Sequence, residues 1–495
     1  MKRKKELIVI LSSLLVIVLS VSVAYFTTKI LGTGKEISVE SADLKVIFTS
    51  GSGTINGTNI EPGWSSGENT FTVKNESNGT YKYNIIIKDL VNTFVTTGFL
   101  QYKITSADGG YNMTDFVDVP KSSTAYNAVI AQGISIANNT THTYKVEFKY
   151  LNSDTVDQSD DMGKTLSGKI FIQKYETTLA NKLLEDNPTI STRSDFSTPF
   201  TTNTANTLYK ATENGTDVYY FAGQDRESTP VNNWVSFGGF YWRIIRTNSD
   251  GSVRLLYSGT SPDTTEGYIG TSAFNTSNDS PKYVGYMYGD SDTTLEEART
   301  NTNNSTVKAY IDNWYENNLT SYANYLSNDA VYCNDRELVS GSTYLVSSSF
   351  YFKSYERLRT NKTPTYDCTN NKDAFLVNNT EAKLKYPIAL MTADEIAFAG
   401  GVTKTNAPMW YYTNSTYGSI TGSTYWWLLS PWRWGSSHSY VWLVRGSDNP
   451  GYLNYDIVSN MDGVRPVISL NSCVQWKSGD GSASSPYEIV ENGGC

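Results

Sequence analysis

The side chains able to do chemistry are few and far apart in this sequence. Its 495 residues include only two histidines, His142 and His438. A metallopeptidase helix of the HExxH type sets two imidazoles one turn apart with a glutamate base between them, and neither histidine has such a neighbour. Gly63-Trp64-Ser65-Ser66-Gly67 fits the G-x-S-x-G pattern of a hydrolase nucleophile elbow, which needs a strand before it and a helix after it. Pro62 precedes it and a strand-like run follows, so it reads as a turn. His438 would have to serve as the base of any hydrolytic triad in the C-terminal half, yet no nucleophile motif accompanies it. Asp448, Asp456 and Asp462 could supply an acid/base pair, but their spacing is not diagnostic. The expectation is a protein with no catalytic residues, metal ligands or cofactor.

Aromatic residues carry the stronger signal. Trp432, Trp434, His438, Tyr440 and Trp442 crowd one short segment that also contains Pro431 and Gly435. Trp and Tyr offer large rigid contact area with a polar tip, and they dominate binding hot spots. Further along, strand alternation sets Leu453, Tyr455 and Ile457 on one face and Tyr452, Asn454 and Asp456 on the other; the apolar set is the one to bury. The expected ligand-binding residues are therefore Trp432, Trp434, His438, Tyr440, Trp442, Tyr452, Asn454 and Asp456. The competing reading is that the indole rings fill a core, as expected for at least one of Trp426 and Trp427. Arg465 reads as structural.

Composition sets the compartment and the partners. Charged residues are 18% of the chain and the net charge is −9, which disfavours a phosphate-backbone partner. Four cysteines, Cys333, Cys368, Cys473 and Cys495, show no CxxC spacing, so disulfides are expected in place of zinc. Pairing Cys333 with Cys368 and Cys473 with Cys495 closes two local loops.

The elements that would position these residues begin with an export segment. Lys2 to Lys5 precede an uncharged run from Leu7 to Phe26, about 20 residues and so about 30 Å of helix, enough to span a bilayer. The basic flank stays inside and sends the rest out. The alternative is a cleaved signal peptide ending near Ser22-Val23-Ala24. Residues 1–34 are assigned to this tip and segment, giving a single-pass protein with its N-terminus in, or a secreted one.

Residues 35–174 read as short alternating strands, such as Asn69 to Lys74 and Thr143 to Tyr150, separated by turn clusters, which is the pattern of an antiparallel sandwich. Ala24-Tyr25-Phe26-Thr27, Ser41-Ala42-Asp43-Leu44 and Ile60-Glu61-Pro62-Gly63, leading into Thr70 to Asn75, resemble the camelysin/TasA-type secreted proteins of Gram-positive bacteria. The resemblance implies an immunoglobulin-like β-sandwich and, for some members, surface fibres. The metallopeptidase activity described for some members is not carried over, because His142 stands alone.

Residues 175–217 are rich in Thr, Ser and Asn and are expected to form a linker with one short helix near 177–184. Residues 218–495 read as an α+β domain. Phe240 to Arg246 and Val253 to Tyr257 form a hairpin around Asn248-Ser249-Asp250-Gly251. One helix starts at the Ser305-Thr306 cap and runs toward Leu326, with Val307, Tyr310, Ile311, Trp314 and Tyr315 at helical spacing. A second spans Thr392 to Ala399, opened by a Thr392/Glu395 capping box and closed by Gly400-Gly401. Strands are expected at Trp410 to Tyr412 and from Tyr425 onward.

Phe240 to Arg246, Leu390 to Glu395, Trp426 to Pro431 and Gly463 to Leu470 together resemble an uncharacterised C-terminal domain of surface proteins in Firmicutes and Mycoplasma-related bacteria. The Gly463-Val464-Arg465-Pro466 ending is similar to C-type-lectin-like and formylglycine-generating-enzyme-like folds. The oxidase chemistry of the latter needs a reactive cysteine pair, and residues 463–470 contain no cysteine. The resulting expectation is a multidomain surface protein: an N-terminal transmembrane helix, an immunoglobulin-like sandwich stalk, and a lectin-like head with two helices. That head would bind a glycan or protein on another cell or host in an adhesin-like role. The alternatives are a structural fibre component and an extracellular enzyme.

Overall fold

The computed structural model describes residues 60–76, 80–175, 177–202 and 205–491, together with the backbone of three short strands nearer the N-terminus. The chain is mostly β-sheet and 12% helical, and it divides into two compact units at Glu176/Thr177. The expected export segment, Leu7–Phe26, lies outside the described residues. Among the described residues no helix is long and apolar enough to cross a membrane.

The first unit is built from β1 (Thr28–Ile30), β2 (Ile37–Ser38), β3 (Leu44–Ile47), β4 (Asn69–Asn75), β5 (Tyr81–Asn92), β6 (Leu100–Ser106), β7 (Val117–Asp118), β8 (Ser122–Ile136), β9 (Thr141–Tyr150) and β10 (Leu166–Lys174). They form two sheets, ordered β1-β10-β5-β8 and β2-β3-β4-β9-β6-β7. Alternation is strict on β4, where Phe71 and Val73 point inward, and on β9, where Tyr144, Val146, Phe148 and Tyr150 do. These side chains join Ile85, Ile87, Ile170 and Ile172 of the facing sheet in one core, so this unit is a β-sandwich. Gly63-Trp64-Ser65-Ser66-Gly67 is a turn, as expected: Gly63 has φ +92°, and the Ser65 hydroxyl donates to Glu147.

The second unit corrects the expected linker. Residues 177–217 belong to it, because their scattered apolar residues find a core that composition alone does not reveal. Helix α1 (Leu179–Asp186) is capped by the Thr178 hydroxyl and buries Leu179 and Leu183. Strands β11 (Thr189–Thr192), β12 (Thr207–Glu213) and β13 (Thr216–Tyr220) then open the main sheet. That sheet continues through β15 (Phe240–Thr247) and β14 (Trp234–Phe237), with β16 (Val253–Tyr257) paired to β15 in the expected hairpin.

The predicted helices are present as α2 (Thr306–Asn318), capped by the Ser305 hydroxyl and followed by a tighter turn over Thr320–Tyr325, and α3 (Ala393–Phe398), with both halves of its capping box formed. Trp410 to Tyr412 is a turn, not the strand expected. A second sheet runs β17 (Thr271–Ser272), then β20 (Trp426–Trp434), β21 (Ser439–Val444) and β22 (Leu453–Ile457), with β18 (Phe350–Tyr351) on the other side of β20. Between β17 and β20 lies β23 (Asp462–Gly463), while β19 (Ile388–Leu390) and β24 (Pro466–Leu470) extend the main sheet beyond β16. One large core runs through both sheets. The Cys333–Cys368 disulfide forms; the expected Cys473–Cys495 pair involves Cys495, outside the described residues.

Candidate functional site

Three of the eight residues expected to meet a ligand are turned inward. Strand β20 does not stop at Pro431: it passes through two register irregularities there and continues to Trp434. Proline is tolerated in a sheet at such bulges. The continuation puts Trp432 and Trp434 on the core side, and Trp442 on β21 joins them; all three are 3% exposed or less. The Trp434 indole N–H donates to the Val346 carbonyl at 2.9 Å, and that of Trp442 to the Ser354 hydroxyl at 2.9 Å. These are core contacts, so the binding role expected for the three tryptophans is corrected to a structural one. Replacing one with alanine would destabilise the fold by about 3–5 kcal/mol.

The rest of the set is half-buried. Tyr440 lies edge-on to Trp432, and Tyr455, expected among the buried residues, is half-exposed and stacks flat on it. β22 is the last strand of its sheet, and Asn454 to Ile457 are all partly exposed, so alternation does not separate an inner face from an outer one there. Asp456 accepts from the Ile457 N–H and the Asn460 amide, Tyr452 donates its N–H to Asn449, and His438 shares a hydrogen bond with the adjacent Ser437. Arg465 is structural, as read: it is fully buried, with its guanidinium donating to the Tyr257 and Tyr411 carbonyls and to Ser258 beneath the Trp426 ring. Burial beside Arg243 lowers its pKa to about 9.

Of Asp448, Asp456 and Asp462, the last is the one pushed far from its ordinary state. Burial, with the Asp456 charge adding, raises its pKa to about 7, and one of its carboxyl oxygens is buried without a partner. Asp448 is engaged by the Tyr425 hydroxyl at 2.6 Å. Among the described residues no three His, Cys, Asp or Glu side chains are grouped to hold a metal.

A concave site lies elsewhere in the second unit. A cleft of about 390 Å³ is walled by Asp225, Trp234, Pro262, Ser415, Tyr417 and the Ser482–Ser484 turn, within the size range of small-molecule sites. Its floor is fixed by a buried arginine. Arg243 on β15 lies 4.2 Å over the Trp234 ring and donates to Asp225 at 2.8 Å, to Asn233 and to the Thr413 carbonyl. Asp225 also accepts the Val231 N–H at 2.9 Å.

The walls are equally fixed. Asn414, almost fully buried, accepts from the Thr416 and Gly418 N–H groups and donates to the Asp263 and Thr264 carbonyls. The Ser415 N–H donates to Pro262. This lattice holds Tyr417 at φ +62° with its ring 39% exposed over the opening. Beside the Ser482–Ser484 turn, Gly481, at φ +78°, accepts the Trp234 N–H on its carbonyl; a Cβ there would strike the Asn232 carbonyl at 2.4 Å, so glycine is required.

No family model and no curated protein matches this chain. The cleft therefore stands on its own geometry. Sequence reading missed it because its walls come from four segments nearly 260 residues apart at the extremes (225 to 484). The one local signal was the Asn414-Ser415-Thr416-Tyr417-Gly418 turn, an aromatic residue lifted on a polar loop.

Proposed function

We propose that this protein is a bacterial surface or secreted binding protein. An N-terminal export segment tethers or releases it, an immunoglobulin-like sandwich spaces the second unit, and a C-type-lectin-like head takes a ligand in the Trp234–Tyr417 cleft. The observation that carries this reading is the cleft itself: a rigid concavity with an exposed aromatic ring, hydroxyls and a carboxylate, and no paired nucleophile and base among its walls. The export run at Leu7–Phe26 and the sandwich-type patterning after it support an extracellular setting. A disulfide in the second unit agrees with an oxidising compartment.

The test is binding by the full-length protein to glycan arrays and to intact bacterial and host cells. Saturable binding that is lost in Tyr417→Ala and in a cleft-filling Ala483→Trp variant, with unchanged circular dichroism, is the expected result. Binding that survives both variants would move the site; no binding to any surface would overturn the reading.

A further inference from the structure

Resting on that binding reading, we propose that the cleft takes a neutral sugar ring, with Tyr417 as the stacking face and the serine hydroxyls and Asp225 as its polar partners. Charge is the first reason. The cation at the cleft floor, Arg243, is fully buried and committed to Asp225, Asn233 and Thr413, and no lysine or arginine is among the residues that line the cleft, so the lining itself holds no positive charge for a phosphate, sulfate or carboxylate. Asp225, already paired with that guanidinium, does not make a strong site for an amine. An ion is thus poorly matched from either side.

Shape and polarity are the second reason. A pyranose has one apolar C–H face and a rim of hydroxyls that each donate and accept. Tyr417 presents its ring to solvent at the mouth while Trp234, only 1% exposed, closes the floor. Around them Ser415, Ser482 and Ser484 carry hydroxyls, groups that can act as donor or acceptor. The Ser482 hydroxyl accepts the Ser485 N–H at 3.1 Å and shares a hydrogen bond with the Ser484 hydroxyl at 3.2 Å, which leaves one of the two hydroxyl protons to give. Pro230 and Pro262 complete the wall without offering N–H groups.

A proline-rich peptide is the nearest competitor, since such peptides dock in aromatic-lined grooves. It fits less well, because here one exposed ring stands among hydroxyls where a peptide of that kind needs successive aromatic ridges. The preformed loops favour a ligand that is itself rigid, as a sugar ring is.

The experiment titrates the full-length protein with neutral, sialylated and sulfated oligosaccharides and with a proline-rich peptide, reading tryptophan fluorescence and calorimetric heat. Neutral sugars should bind with little salt dependence. Tyr417→Ala should weaken them about tenfold, the loss of one good stacking contact, while Tyr417→Phe retains affinity. Ser484→Ala should weaken them less. Binding confined to anionic sugars, or to the peptide, overturns this inference and leaves the cleft as a binding site. Absence of every ligand, with cell binding also absent, overturns both.

Discussion

The two units solve the burial of polar groups in opposite ways. No arginine occurs between Arg3 and Arg193, so the sandwich has no guanidinium to bring into its core. It relies on neutral groups and backbone dipoles. Asp161 is fully buried and is held by the Val95 and Thr96 N–H groups and the Tyr150 hydroxyl, which keep its pKa below the usual range despite burial. His142 sits in a chain of hydrogen bonds: the Tyr111 N–H donates to Tyr144, whose hydroxyl meets that of Tyr83 at 2.6 Å, which in turn meets His142 Nδ1 at 2.8 Å. That chain runs in one direction only when Nδ1 is an acceptor, so it suits the neutral imidazole.

The second unit buries whole ion pairs. Glu395 accepts from Arg254 at 2.8 Å and from Arg246 at 3.2 Å; Arg246 also reaches Glu213 at 2.8 Å. A separate set joins Arg336 and Arg299 to Asp373. Such pairs add little net stability when complete and cost much when one member is lost. The sandwich should therefore be sensitive to protonation and the second unit to deletion of single charges.

The largest effect is expected from Glu395→Ala. It leaves Arg254 without its carboxylate and Arg246 with Glu213 alone, and it removes half of the α3 capping box, so the second unit should lose about 3–5 kcal/mol in chemical denaturation. Ten of the eleven tryptophans lie after residue 176, which makes tryptophan fluorescence a direct readout of that unit. Glu395→Ala with unchanged stability would abolish the contrast.

Asp462→Asn is expected to act in the other direction. Because the folded pKa, about 7, lies above the ordinary 3.8, the stability tied to this group is complete below pH 3.8 and is lost as pH rises through 7. At pH 8 the asparagine variant should be more stable by up to about 4 kcal/mol, with the gain vanishing in acid.

A smaller change is expected for the sandwich on acidification. Burial lowers the His142 pKa, so its stabilising share is complete above about pH 6.5 and falls as pH drops through the lowered folded value. Hydrogen-exchange protection on β4, β5 and β9, taken relative to the intrinsic rate at each pH, should fall below about pH 6.5, and His142→Gln should flatten that dependence. The smallest effect belongs to Lys145→Ala, which breaks an exposed pair with Glu68; it should stay within about 0.5 kcal/mol in the same denaturation experiment.

Much of the local architecture was legible in the sequence. The hairpin around Asn248–Gly251, the capping box of α3, the alternation of β4 and the Cys333–Cys368 pair depend on residues close in the chain, and local chemistry suffices for them. The aromatic segment was misread because burial of a ring depends on what lies opposite. Trp432 and Trp434 could not be told from exposed rings until β20 was seen to continue through Pro431 and to face β18. The presumed linker was misread for the same reason: Leu179, Leu183 and Leu208 are sparse among polar residues, and only the core they enter explains them.

The sequence by itself determined the helix caps, the Asn248–Gly251 hairpin, the alternation of β4 and β9, and that the sandwich would have no arginine to bury, because those properties belong to residue types and short spacings. Tertiary structure alone decided which aromatic rings are core, which carboxylate each arginine meets, and that Asp225, Pro262, Tyr417 and Ser482 wall a common cleft. Such proximity between segments hundreds of residues apart follows from sheet pairing and core packing, for which spacing along the chain carries no record.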